Sequence, residues 1–275
     1  MNELMYDQSS VLIASVLFAS MVIAVELGYR IGRSAQASAT ESSRAQINAV
    51  QASLLGVLAL LLGFTFSLSL QRFDSRSEAV VDEANAIGTA YLRTHLLTPA
   101  VRSQAQELLR HYVELRVQAS GVALSSESER DALLANTGDV LAALWRNARQ
   151  AVIEDPSPVT SGLYVQSLNE LIDSLGRRDA ALSRHVPEVV LFLLFGTFLM
   201  AGSVVGYASG VGGHRAAFVT YIMIALIVLL VFIIIDLDRP RRGLIEVSQK
   251  SLIELRRSVL AEQPDDDRSK APELR

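Results

Sequence analysis

"AAFVTYIMIALIVLLVFIIIDLDRPRRG", Ala216 to Gly243, decides what kind of protein this is. From Ala216 to Ile235 there is no charged residue, and about 20 apolar residues in a helix cross the roughly 30 Å of hydrocarbon in a bilayer. Two aspartates follow at once, and then arginines on both sides of a proline. A helix C-terminus disfavours anions, so Asp236 and Asp238 need partners. The nearby arginines can serve, or a basic residue elsewhere in the chain such as Arg93. Pro240 holds Arg239 extended and turns the chain. Asp236, Asp238, Arg239 and Pro240 therefore read as a corner at the membrane edge. A plain interfacial anchor explains the arginines but not two acids at the wrong end of a dipole.

Three more segments have the length and apolarity of spans: Val11–Tyr29, Ser53–Leu70 and Val189–Tyr207. The first reads as a retained helix, because "MNELMYDQSS" is acidic where a signal peptide is basic. Half of the 275 residues are hydrophobic and mean hydropathy is +0.31, high for a soluble domain. The net charge of −4 gives no reason to expect nucleic acid. With no cysteine, disulfides, thiolate metal sites and cysteine nucleophiles are excluded. His95, His111, His185 and His214 lie far apart, and no phosphate-loop, hydrolase or metalloprotease motif is present. The chain reads as a non-enzyme with no cofactor and no metal.

Between the second and third spans lies a long polar insert. Its apolar residues recur every three or four positions, as in "AQELLRHYVELRVQAS". Breaks fall at Thr98-Pro99, "SGVALSSESERD" and "EDPSPVTSG", with Thr98 and Ser126 or Ser128 as N-caps. Nothing breaks the chain between Ser53 and Arg93, so the second span continues outward as one long helix. The fold class expected is an all-α membrane protein: four transmembrane helices, with a soluble four-helix bundle inserted between the second and third. Residues 1–70 hold the first two spans, 71–187 the bundle and 188–236 the last two spans. An amphipathic helix is expected within 237–261, from "GLIEVSQKSLIELRRSVL", and a disordered tail over 262–275. Counting arginines and lysines near the span ends places the bundle and both termini in the cytoplasm, whereas the first loop alone, with Arg30, Arg33 and Arg44, argues the opposite side.

Several patterns carry physical content. Ser20, Ala24, Gly28 and Gly32 make one small-residue stripe, and Gly202, Gly206 and Gly210 another. Such stripes let helices approach closely in lipid, between subunits or, as expected here, within one chain. Glu26 is four residues before Arg30, the spacing of a local ion pair. In the second span Gly56, Gly63, Ser67, Gln71 and Asp74 fall on one face, and Thr65, Ser69, Arg72 and Arg76 on another. Hydroxyls there line a wet path or bond carbonyls four residues back. Beyond the span Asp82, Asn85, Thr89 and Arg93 share a face beside Glu83. Small polar groups in that pattern suggest a buried network or a symmetric interface.

Two stretches, "LLGFTFSLSLQRFDSRSEAVVDEANAIGTAYLR" and "FIIIDLDRPRRGLIEVSQ", resemble the bacterial bestrophin-like membrane proteins over nearly the whole chain. That resemblance implies the inner membrane of a bacterium. It also implies a more distant likeness to bestrophins, which are pentameric anion channels with four membrane segments per subunit. By that likeness the second span lines a pore, with Phe64 and Phe66 as constriction candidates beside Ser67, Ser69, Gln71 and Asp74. The chain shows no acidic cluster of the calcium-clasp kind, and Arg241 stands where many of the bacterial proteins carry an aromatic.

Two functions are expected from this reading. One is a homo-oligomeric ion channel passing small inorganic ions, anions by preference, in contact with membrane lipids. The alternative is a membrane sensor or scaffold that uses the bundle to bind a ligand or partner.

Overall fold

The apolar run that begins at Ser53 does not end as a helix at Leu70. In the computed structural model, α2 continues from Glu41 to Arg93, 53 residues, because no glycine pair or proline interrupts it. The structure describes residues 8–121, 127–215, 218–239 and 243–261, leaving aside the side chains at 127 and 130. These residues are helical with no strand. Beside α2 they form α1 (Ser10–Ala35), α3 (Pro99–Gly121), α4 (Glu127–Glu154), α5 (Ser161–Ser183), α6 (Glu188–Val211), α7 (Phe218–Asp238) and α8 (Lys250–Ala261). Four stretches are long and apolar enough to cross a membrane: α1, α2, α7 and the α5–α6 stretch. In the last of these the apolar part is α6. The expected tail over 262–275 lies outside the described residues, as do Pro240, Arg241 and Arg242.

Contacts divide the chain into two compact units. One takes Met1–Phe73 with Arg184–Glu246, the other Asp74–Ser183 with Val247–Arg275.

In the first unit, Leu17, Met21, Phe198, Ile224 and Ile234 are all but fully buried and form its centre. The two small-residue stripes meet each other there. α1 and α6 run parallel, with Met21 beside Gly202, Val25 beside Gly206 and Tyr29 beside Gly210. A Cβ added at Gly28, Gly32, Gly206 or Gly210 would overlap a backbone carbonyl of the facing helix. The contact is backbone to backbone, the packing that lipid-embedded helices reach only with glycine. The intramolecular role expected of the stripes is the one seen.

The second unit is built around Ile87, Leu109, Tyr112, Leu144, Tyr164, Leu168, Leu171 and Leu252, from five helices. Thr98 precedes α3 at its cap position and Pro99 takes the first turn, where a missing N–H costs nothing. The Thr98 hydroxyl, however, donates to Glu154 Oε2 at 2.6 Å. α4 starts at Glu127, so Ser128 lies inside the helix; Ser126 is outside the described residues.

One expectation is corrected. The amphipathic helix does not begin at Gly243; α8 starts at Lys250. The reason lies in the hydrogen bonds of the backbone before it. The Ile245 N–H is held by Asp236 Oδ2 at 2.9 Å, and the Val247 carbonyl accepts from the Gln249 side chain at 3.0 Å. These bonds commit Gly243–Gln249 to an irregular path.

The glycine contact makes a direct prediction. Gly206→Ala places a methyl on the Val25 carbonyl, and should lower stability by about 1–3 kcal/mol. Gly196→Ala, where nothing lies within 4 Å, should leave it unchanged or slightly raised. Thermal unfolding in detergent, followed by circular dichroism, compares the two.

Candidate functional site: the faces of α2

Along α2 two stripes separate. Leu58, Leu62, Thr65 and Ser69 are buried and form the seam that packs into the first unit. The Thr65 hydroxyl donates to the Leu61 carbonyl at 2.7 Å, the back-bonding that satisfies a hydroxyl in an apolar setting. On the opposite side of the helix, Gly56, Gly63, Ser67, Gln71 and Asp74 are exposed. A Cβ on either glycine would meet nothing within 4 Å, and Gln71 Nε2 donates to Ser67 Oγ at 3.3 Å. The six residues expected along a pore therefore divide. Ser67, Gln71 and Asp74 share the open stripe. Phe64 is 60% exposed on the adjacent apolar side, Phe66 is half-buried, and Ser69 is fully buried on the seam.

The second group divides too. Asp82, Asn85 and Thr89 are exposed and Arg93 half-exposed. They line a cavity of about 360 Å³ together with Gln166, Ser167, Glu170 and Arg177 of α5. Arg93 Nη1 donates to the Leu163 carbonyl at 2.8 Å, and Arg177 pairs with Glu170 at 2.5 Å. Glu83 points the other way and is fully buried. Its carboxylate accepts from Arg116 Nε at 2.5 Å, from Arg178 and, at 3.4 Å, from the Tyr112 hydroxyl. Arg178 also donates to Gln249 Oε1 at 2.9 Å. One carboxylate thus ties α2, α3 and α5, and Arg178 extends the tie to the segment before α8.

Glu83 lies well past the apolar part of α2, which ends at Leu70. Burial alone would raise its pKa, but the guanidiniums of Arg116 and Arg178 outweigh burial and hold the carboxyl below its ordinary range. Burial and the neighbouring carboxylate push the Tyr112 phenol far above its usual value. Arg116 and Arg178 were not singled out from the sequence. A signal for them existed: Ala105, Leu109, Tyr112 and Arg116 share one buried stripe, as do Leu168, Leu171, Ser174 and Arg178. A charge on a core stripe needs a buried counter-charge.

The corner is built from buried acids. Asp236, Asp238 and Arg239 are each at most 5% exposed. Asp238 Oδ1 accepts from Arg72 Nη1 at 3.3 Å. Its Oδ2 accepts the Val186 N–H at 2.7 Å, two residues before α6. Asp236 takes the Ile245 N–H, and Gly243 lies so close that a Cβ there would touch its carboxylate. Arg72 is thus a partner of Asp238, while Arg93 is turned to the Leu163 carbonyl. The two acids offset the unfavourable dipole by fixing backbone donors of chain segments that have no helix of their own.

A family model described as the bestrophin-like domain matches residues 13–252. The chain belongs to the bestrophin-like family. Solved structures share the fold at low identity. A crystal structure of a bestrophin homologue from Klebsiella pneumoniae is 17% identical, with TM-score 0.63, covering 89% of this chain and 97% of that one. A second variant of the homologue is 18% identical at the same TM-score, covering 88% and 97%. A structure described only as a membrane protein is 19% identical, with TM-score 0.60, covering 90% and 98%. No curated protein matches the chain. The family and the four apolar helices make this a membrane protein. Among the described residues no group of three or more histidine, aspartate or glutamate side chains is arranged to hold a metal.

The Glu83 cluster predicts a pH signature. Because the folded-state pKa is depressed, its contribution is complete above the unfolded carboxylate range near ~4.3 and is lost as pH falls through the folded value. Glu83→Gln leaves two buried guanidiniums without an anion, and should cost about 3–5 kcal/mol at neutral pH. The gap from the wild type should shrink in acid. Denaturant melts across pH measure both.

Proposed function

We propose that this chain is the subunit of a homo-oligomeric ion channel whose path follows the open stripe of α2. The stripe itself carries the reading. Within its apolar stretch α2 exposes two unlike sides. Val57, Leu60, Phe64 and Leu68 are large and apolar, as lipid requires. Gly56, Gly63, Ser67 and Gln71 are small or polar and equally exposed. A helix that met only lipid and its own subunit has no use for the second side. Other copies around an axis do.

The family resemblance implies anions. The charges along the stripe argue the other way: Asp74, Glu78 and Asp82 are exposed at four-residue spacing before its first cation, Arg93. Rings of carboxylates favour cations, so the flux assay must offer both signs. In this reading residues 71–187 form a soluble bundle on the cytoplasmic side of a bacterial inner membrane. The parallel run of α1 and α6 supports a shared side for Ser10 and Glu188. A membrane sensor or scaffold is the second reading, and the cavity beside Asp82 and Arg93 supports it.

Purified protein in liposomes tests the channel. The expected result is a defined oligomer whose halide or alkali-cation flux is abolished by Ser67→Trp, with oligomer mass unchanged. Phe64→Trp, on the lipid side, should leave flux intact. A monomer without flux removes the channel and selects the sensor. Flux untouched by Ser67→Trp moves the path off this stripe.

A further inference from the structure

At the end of the first unit where α1 ends, two guanidiniums gather around one carboxylate and a third sits on the neighbouring tyrosine. Glu26 Oε1 lies 3.0 Å from Arg30 Nε and 3.8 Å from Arg215 Nη2. Arg33 Nη1 donates to the Tyr29 hydroxyl at 2.9 Å. The Arg215 guanidinium lies over the Tyr29 ring, 5.6 Å from its centroid. Arg215 reaches this position because the chain reverses between α6 and α7 at Gly213. Its φ of +84° suits glycine, and a Cβ there would run into the Gln36 side chain.

The cluster is short of negative charge, and its cations are open. The side chains of Arg30 and Arg215 are 71% and 74% exposed. They also sit beside exposed hydrocarbon. Ile23, Leu27 and Ile31 form a stripe on α1, each more than half exposed, and Phe218 and Val219 are exposed at the start of α7. Cations in surplus against an open aliphatic stripe call for a ligand with a negative head and a hydrocarbon tail.

We propose that this corner binds an anionic phospholipid. Arg30 and Arg215 take the headgroup phosphate, and an acyl chain lies along Ile23, Leu27 and Ile31. Guanidinium suits phosphate because its planar donor fork matches two phosphate oxygens. Glu26 holds both arginines in place without neutralising them. Tyr29 supports Arg215 from beneath.

Native mass spectrometry of the full chain in detergent tests this, with phosphatidylglycerol or phosphatidylcholine added. Phosphatidylglycerol adducts should dominate, and Arg30→Gln with Arg215→Gln should reduce them by roughly tenfold. Arg146→Gln with Arg149→Gln, which removes the same charge from exposed positions on α4, should leave them unchanged. Ile31→Asn keeps every arginine and should still weaken the adducts, which supports the tail contact should the double variant not fold. Equal adducts with the two lipids overturn the proposal. So does full retention in the Arg30–Arg215 variant, or equal loss in the α4 control. Displacement of the lipid by inorganic phosphate would show a free-anion site instead.

Discussion

Lipid gives one helix no hydrophobic reason to meet another. The unit that holds α1, α6 and α7 therefore depends on how closely two backbones can approach. α1 and α6 meet carbonyl to Cα at Gly28, Gly32, Gly206 and Gly210, where no side chain of any size fits. That contact fixes their parallel register. It also brings the α6–α7 turn back to α1, which places Arg215 over Tyr29. The same unit closes its other end with Asp238, which holds Arg72 and the Val186 N–H. Close backbone contact and satisfied polar ends do here what apolar burial does in water.

The second unit follows the opposite rule. Its core is large side chains from five helices, and the deeply buried Glu83 carboxylate carries two arginines. Such a cluster contributes less net stability than the apolar core around it, since its groups lose their hydration. What it adds is geometry. Glu83 admits one register among α2, α3 and α5, and Arg178 extends that register to Gln249.

α2 takes part in both units and leaves one stripe open throughout. Along that stripe Gly56, Gly63, Ser67 and Gln71 are followed by Asp74, Glu78 and Asp82 and then by Asn85 and Thr89, all exposed. The functional proposal and the charge argument both rest on this one helix. The lipid proposal rests on different residues, at the end of α1.

Much of this was legible in the sequence. Uninterrupted hydrocarbon from Ala216 to Ile235, and the lack of any breaker before Arg93, follow from chain chemistry alone. So does the pairing of Glu26 with Arg30, which needs only helical spacing. The glycine stripes announced close approach, though not which helix would answer. Periodicity placed Asp82, Glu83, Asn85, Thr89 and Arg93 together because they adjoin along the chain. Tertiary packing then sent Glu83 inward and left the others outside, because its counter-charges come from positions 116 and 178. Ser69 and Ser67 look alike as letters, yet one is buried and the other open, since only the seam with Leu58 and Leu62 distinguishes them. Local chain chemistry settled which segments are apolar enough for lipid and most of which are helical; Gly243–Gln249, whose Ile245 N–H goes to Asp236, escaped it. Which distant polar groups meet was settled by packing, because their partners lie tens of residues away along the chain.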